Sequence, residues 1–125
     1  MYKTLERYLI AEESFGSDVK IESFNTDDGE GFKHIFYDNG IEIGHACVCT
    51  YEKKNDFLFN VEVKKSLRGK GYGTKIVKYM IDKYHVRHLI VGKNNTVAQN
   101  LYKKFKFKYN GDVEGSPNHI RMKRG

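Results

Sequence analysis

At 125 residues with 39% hydrophobic content, the chain has the material for one domain, residues 1–125, around one core. It carries no long apolar run, signal-peptide pattern, low-complexity tract or internal repeat, which argues against membrane-spanning, secreted and repeat architectures and predicts a soluble, cytoplasmic protein. The net charge of +6 is unevenly spread: residues 1–60 hold 6 Lys/Arg against 12 Asp/Glu, whereas residues 61–125 hold 16 against 4, a net of +12 that suits an anionic ligand.

In chain order, Tyr2, Leu5, Tyr8 and Leu9 recur at helical spacing and predict a short amphipathic helix. Val19 to Phe24 and Phe32 to Tyr37 predict strands, joined by the turn-rich stretch Asn25-Thr26-Asp27-Asp28-Gly29-Glu30-Gly31. Asp38-Asn39-Gly40 is a hairpin signal leading into a strand from Ile41 to about Tyr51. Cys47 and Cys49 lie two apart on that strand and cannot bridge each other, which fits a reducing compartment. His45 shares their face. Side chains two apart on a strand are roughly 7 Å apart, too far for neighbouring metal ligands with bonds of roughly 2.3 Å, so packing is expected there and no metal site.

Glu52 to Asn55 reads as a polar turn and Phe57 to Val63 as a strand. The next elements are a helix from about Gly73 to Tyr84, a strand at His88–Val91, a helix from Thr96 to about Phe105, and strands around Lys106–Tyr109 and His119–Lys123. An antiparallel meander followed by β-α-β-α-β predicts a mixed sheet with helices packed on it. His85, His88 and His119 fall near element ends with no evident partner in the sequence.

The richest chemistry lies between the Phe57–Val63 strand and the helix after it. Arg68-Gly69-Lys70-Gly71-Tyr72-Gly73-Thr74 lets the backbone turn sharply and come close to a ligand. A helix that begins there points unpaired N–H groups and a partial positive charge at the loop, and Arg68, Lys70 and Lys75 add full charges. Such a site fits a phosphate or pyrophosphate. The spacing is neither G-x-G-x-x-G, since Thr74 stands where the third Gly would, nor a Walker loop.

What remains, Arg68-x-x-Gly71-x-Gly73, resembles the pyrophosphate signature [RQ]-x-x-G-x-[GA] of the GNAT superfamily of N-acetyltransferases, which use acetyl-coenzyme A. Asn95, Ala98, Leu101, Tyr102 and Phe107 fall in register with that superfamily's later motif, and Asn118 to Lys123 resembles its closing strand. One position departs. Lys106 stands where the family has Gly, so the tight turn there is expected to be made differently. A second departure is the gap between the first two strands, where relatives place two helices that wall the acceptor side and this chain has a polar turn.

The resemblance implies a short GNAT-like α/β (α+β) fold with a mixed, mostly antiparallel sheet, and direct acetyl transfer from acetyl-coenzyme A to an amine. It implies that main-chain groups of Val61 and Val63 meet the pantetheine arm and that backbone N–H groups of Gly69, Lys70, Gly71, Tyr72, Gly73 and Thr74, with Arg68, hold the pyrophosphate. Asn95 would contact the cofactor. Tyr102 would protonate the departing thiolate, unless it is only a core aromatic on the Val97, Ala98, Leu101, Phe105 stripe. The general base is the weak point: the positions where relatives carry a carboxylate hold Phe57, Phe59 and Ile90. Glu62 is the nearest candidate, but it alternates to the wrong face unless the strand bulges, and otherwise reads as a solvated carboxylate.

The acceptor side is open in this reading, to be closed by the N-terminal helix, by a second subunit in a homodimer, or by neither. An open site suits an amine on a macromolecule better than a small free molecule. The run Lys103, Lys104, Lys106, Lys108 reads either as a solvated face or as a surface for an anionic acceptor, nucleic acid included. A non-catalytic module that binds coenzyme A or an anionic partner is the alternative to an enzyme.

Overall fold

The computed structural model describes residues 19–27, 29–51 and 54–125. The helix expected around Tyr2, Leu5, Tyr8 and Leu9 lies outside them. Seven strands form one sheet: β1 (Val19–Thr26), β2 (Gly29–Asp38), β3 (Ile41–Tyr51), β4 (Lys54–Val63), β5 (His88–Gly92), β6 (Phe107–Val113) and β7 (Ser116–Arg124), in spatial order β1-β2-β3-β4-β5-β7-β6. Every neighbouring pair is antiparallel except β4 and β5, which are joined through helix α1 (Tyr72–Tyr84) and run parallel. Helix α2 (Thr96–Lys104) links β5 to β6. This is the mixed, mostly antiparallel sheet that the chain order predicts.

The local chemistry of the turns accounts for the meander. Asn39 and Gly40 both take positive φ, 52° and 78°, as a two-residue hairpin between right-twisted strands requires. The seven-residue turn expected before β2 is mostly strand instead: Asn25 pairs with Glu30 and Thr26 with Gly29. Gly31, read as a turn residue, is the seat of an aromatic ring, because a Cβ there would stand 2.4 Å from the Phe24 ring. The tight Thr26–Gly29 connection leaves no room for helices between β1 and β2.

The core lies between the sheet and the helices. Along β2, Phe32, His34 and Phe36 face α1, where Phe36 meets the Tyr79 ring edge-on at 5.1 Å and the Tyr84 hydroxyl lies 2.9 Å from His34 Nε2. Ile76, Val77 and Met80, at helical spacing on α1, are completely buried with Leu58 of β4 and Leu89 of β5. Each such side chain contributes about 1.5–3 kcal/mol by leaving water. The opposite face of the sheet carries an aromatic cluster, with Phe59 between Phe24 at 6.2 Å and Phe57 at 6.4 Å. No described helix packs there.

Candidate active site

Two irregularities in neighbouring strands open a cleft in the sheet. In β4, Cys47 faces Phe59 but His45 faces Glu62, so β4 carries one residue more than β3 across this stretch. Asn60, with φ 52°, absorbs it as a bulge. β5 pairs with β4 only at Phe57–His88 and Leu58–Leu89, and past those pairs the two parallel strands part. The resulting cleft of about 520 Å³ is lined among others by Asn60, Val61, Ile90, Asn95, Tyr102 and His119. A space of that size can bury much of an extended ligand.

The glycine loop sits where α1 begins. Gly71 caps the helix with φ 86° and no side chain caps it, so the first-turn N–H groups of Tyr72, Gly73 and Thr74 point outward without intrahelical partners. Gly69, with φ 80°, and Gly71 are both open, with no atom of the described residues within 4 Å of the point a Cβ would occupy. Gly73 serves a different purpose: a Cβ there would lie 3.4 Å from Leu101 Cδ2, at the contact between α1 and α2. Tyr72 anchors the first turn to β2 by donating its hydroxyl to Asp38 at 2.8 Å. Lys70 and Lys75 are exposed, while Arg68 bends back, donating Nε–H to the Val63 carbonyl at 3.0 Å and approaching Glu62 at 3.8 Å. An open, positively polarised backbone of this kind fits a pyrophosphate without any side chain having to move.

Asn95 and Tyr102 come from the two ends of α2. Asn95 caps that helix, its Oδ1 accepting from the Ala98 N–H at 3.1 Å, and also lines the cleft. Tyr102 is 5% exposed and packs edge-on against Phe107 at 6.1 Å, yet it too lines the cleft. Burial pushes its phenol up to about 12, so it keeps its proton throughout the physiological range.

The profile of the Acetyltransferase (GNAT) family matches residues 1–107. The chain belongs to that family. No curated protein sequence matches it. A solved acetyltransferase from Thermus thermophilus superposes with a TM-score of 0.63 at 17% identity, covering 75% of this chain and 63% of that one. PH1933 from Pyrococcus horikoshii is 28% identical with a TM-score of 0.59, covering 74% of this chain and 64% of that one. Naa50 from Arabidopsis thaliana, solved with the bisubstrate analogue CoA-Ac-MVNAL, gives a TM-score of 0.60 at 21% identity over 72% of this chain and 69% of its own.

Within this GNAT domain the remaining sequence expectations fall out as follows. The β4 bulge turns Glu62 to the face that carries Phe57 and Phe59. There it is 60% exposed, 4.0 Å from His45 Nε2 and 3.8 Å from Arg68, and it does not line the cleft. Val61 lines the cleft, whereas Val63 packs against the core and gives its carbonyl to Arg68. Among the described residues, no group of three His, Cys, Asp or Glu is placed to hold a metal ion, and no helix is long and apolar enough to cross a membrane.

Two expectations need correction. The turn after α2 is not made differently: Lys106 adopts the left-handed conformation itself, at φ 74°, with its N–H bonded to the Lys103 carbonyl at 3.0 Å. The four lysines do not share a surface either. Lys103 and Lys104 belong to α2, Lys106 to the turn, and Lys108 stands on β6 opposite Lys123. Sequence reasoning also overlooked Asn60 and His119 as cleft residues. Asn60 gave only the signal of a polar residue inside an apolar strand, and His119, whose Nδ1 lies 2.7 Å from Ser116 Oγ, gave none.

Proposed function

We propose that this GNAT protein is an acetyl-coenzyme A-dependent N-acetyltransferase in which an acceptor amine attacks the thioester directly. The observation that carries the reading is a cleft, made by the Asn60 bulge and the β4–β5 divergence and lined by the protonated Tyr102, along a strand, β4, that runs on into the glycine loop and the uncapped start of α1. Residues 69–74 would hold the pyrophosphate through backbone N–H groups, and Arg68 would brace the loop against Val63 and Glu62. Val61 would offer main-chain groups to the pantetheine arm, and Asn95 a side-chain amide.

Transfer forms a C–N bond and breaks a C–S bond. The amine loses one proton and the departing sulfur takes one, so no net proton is consumed. Tyr102 would donate to the sulfur, a role that suits a phenol held neutral by burial. Glu62, on the sheet face that carries no described helix and outside the cleft lining, would take the amine proton through intervening water.

A binding-only module is the second reading, favoured by the absence of any carboxylate among the described residues that line the cleft. Incubating the protein with acetyl-coenzyme A and cell extract, then searching for acetylated products by mass spectrometry while following thiol release, separates the two. Tight coenzyme A binding without acetylated product or thiol release would leave the binding module.

A further inference from the structure

The sheet face without a described helix carries an unusual concentration of positive charge beside the cleft. Lys108 on β6 stands directly opposite Lys123 on β7, and Lys123 stands opposite His88 on β5. Like charges directly opposite one another destabilise a sheet. Arg121, two residues along β7 and therefore on the same face, is half-buried. The ion pairs formed among the described residues use Glu22, Glu42, Glu62 and Asp82, none of them with Lys108, Arg121 or Lys123. Arg121, His88 and Asn110 line a second cavity of about 240 Å³. Phe57 lines both this cavity and the cofactor cleft.

We propose that the second cavity is an acceptor subsite for an anionic group, carboxylate or phosphate, carried near the amine on a peptide chain. The proposal rests on the acetyltransferase reading and names its substrate class. A guanidinium offers a planar fork that matches either anion, and Lys108 and Lys123 supply the surrounding field. An anion seated there relieves the lysine–lysine repulsion, which accounts for charges that weaken the sheet on their own. Charge complementarity alone admits nucleic acid, but a thioester is attacked most readily by an aliphatic amine. Peptide N-termini and lysine side chains have one; the exocyclic amines of bases are delocalised into their rings.

The test measures binding and chemistry separately. Protein saturated with coenzyme A is titrated with a labelled hexapeptide carrying a free N-terminus and Asp at its second and third positions, and with its Asn counterpart. Wild type should prefer the Asp peptide by about tenfold, and added salt should shrink the preference. Arg121→Glu with Lys123→Glu, and the milder Arg121→Gln with Lys123→Gln, should abolish the preference while coenzyme A affinity and circular dichroism stay unchanged. A phosphoserine peptide in parallel tells whether phosphate or carboxylate is the better occupant.

Equal binding of the Asp and Asn peptides to wild type overturns the subsite, as does a preference that survives in both folded variants. A single-stranded oligonucleotide that binds more tightly than the Asp peptide through the same two residues overturns the peptide as occupant. Thiol release from acetyl-coenzyme A with the Asp peptide addresses the reaction itself. Selective binding without release removes the enzyme and leaves the subsite.

Discussion

A Cβ on Gly44 would lie 2.3 Å from the carbonyl oxygen of Glu62, closer than any side chain can come to backbone. β3 and β4 run close together at this point, where Gly44 pairs with Val63 just past the Asn60 bulge on the way to the glycine loop. Gly44 does not have a positive φ, so proximity rather than conformational freedom requires a glycine. In an ordinary strand position Gly→Ala stabilises by about 0.4–1 kcal/mol through the unfolded chain. Here the obstruction is backbone, which cannot swing aside, and overpacking of that kind costs about 1–3 kcal/mol. Gly44→Ala should therefore destabilise the fold in urea titration and, by displacing the end of β4, weaken coenzyme A binding as well.

Gly71→Glu tests the cofactor assignment. It places a negative charge and bulk where backbone would meet pyrophosphate, and it forces a side chain into φ 86°, a strain of about 1–2 kcal/mol. Coenzyme A affinity should fall below detection by calorimetry. Because no atom of the described residues lies near the added Cβ, the protein should remain folded by circular dichroism. A folded variant with unchanged affinity would remove the loop from the cofactor site.

The elements that were legible in advance are those whose periodicity and turn chemistry agree: the Asn39-Gly40 hairpin, the amphipathic α1, and the strand–glycine–helix unit around Gly71. The cleft itself was legible only through family resemblance. A bulge leaves no periodic trace, so within Phe57–Val63 only the polar Asn60, a residue type that tolerates positive φ, hints at the φ of 52° that turns Glu62 to the other face. Cross-strand placement was equally hidden. Lys106 and Lys108 are near neighbours in sequence, but only strand pairing sets Lys108 against Lys123 and brings Arg121 beside His88.

Lys106 in the left-handed region marks a place where the chain is less stable than its own fold allows. The conformation costs a residue with a Cβ about 1–2 kcal/mol, partly offset in a Gly replacement by the freedom glycine has when unfolded. Lys106→Gly should stabilise by about 0.5–1 kcal/mol in urea denaturation. Lys106→Ala removes the charge but keeps the strain, and should give no gain. Equal stabilisation by both would assign the effect to charge instead of backbone.

Tyr102 is accessible to two independent measurements. If it protonates the thiolate, Tyr102→Phe should lower turnover by about 10²-fold or more with little change in acetyl-coenzyme A affinity, since the ring remains. Turnover within a few-fold of wild type would make it a packing residue only. Its ionisation also leaves a mark on stability. The folded phenol lies at about 12 against an ordinary value of 10.0, so between those values the unfolded chain has released its proton and the folded chain still holds it. Fewer protons bound by the unfolded state means that stability falls as pH rises. The contribution is fully present below pH 10.0 and is lost through about 12, a decline of roughly 2–3 kcal/mol across that window. The comparison that counts is between wild type and Tyr102→Phe in urea denaturation at several alkaline pH values, since it cancels every contribution the two proteins share. The wild-type curve should fall more steeply by about that amount. Parallel curves would mean that the phenol is solvated in the folded protein, which would also undercut its assignment as an acid kept neutral by burial.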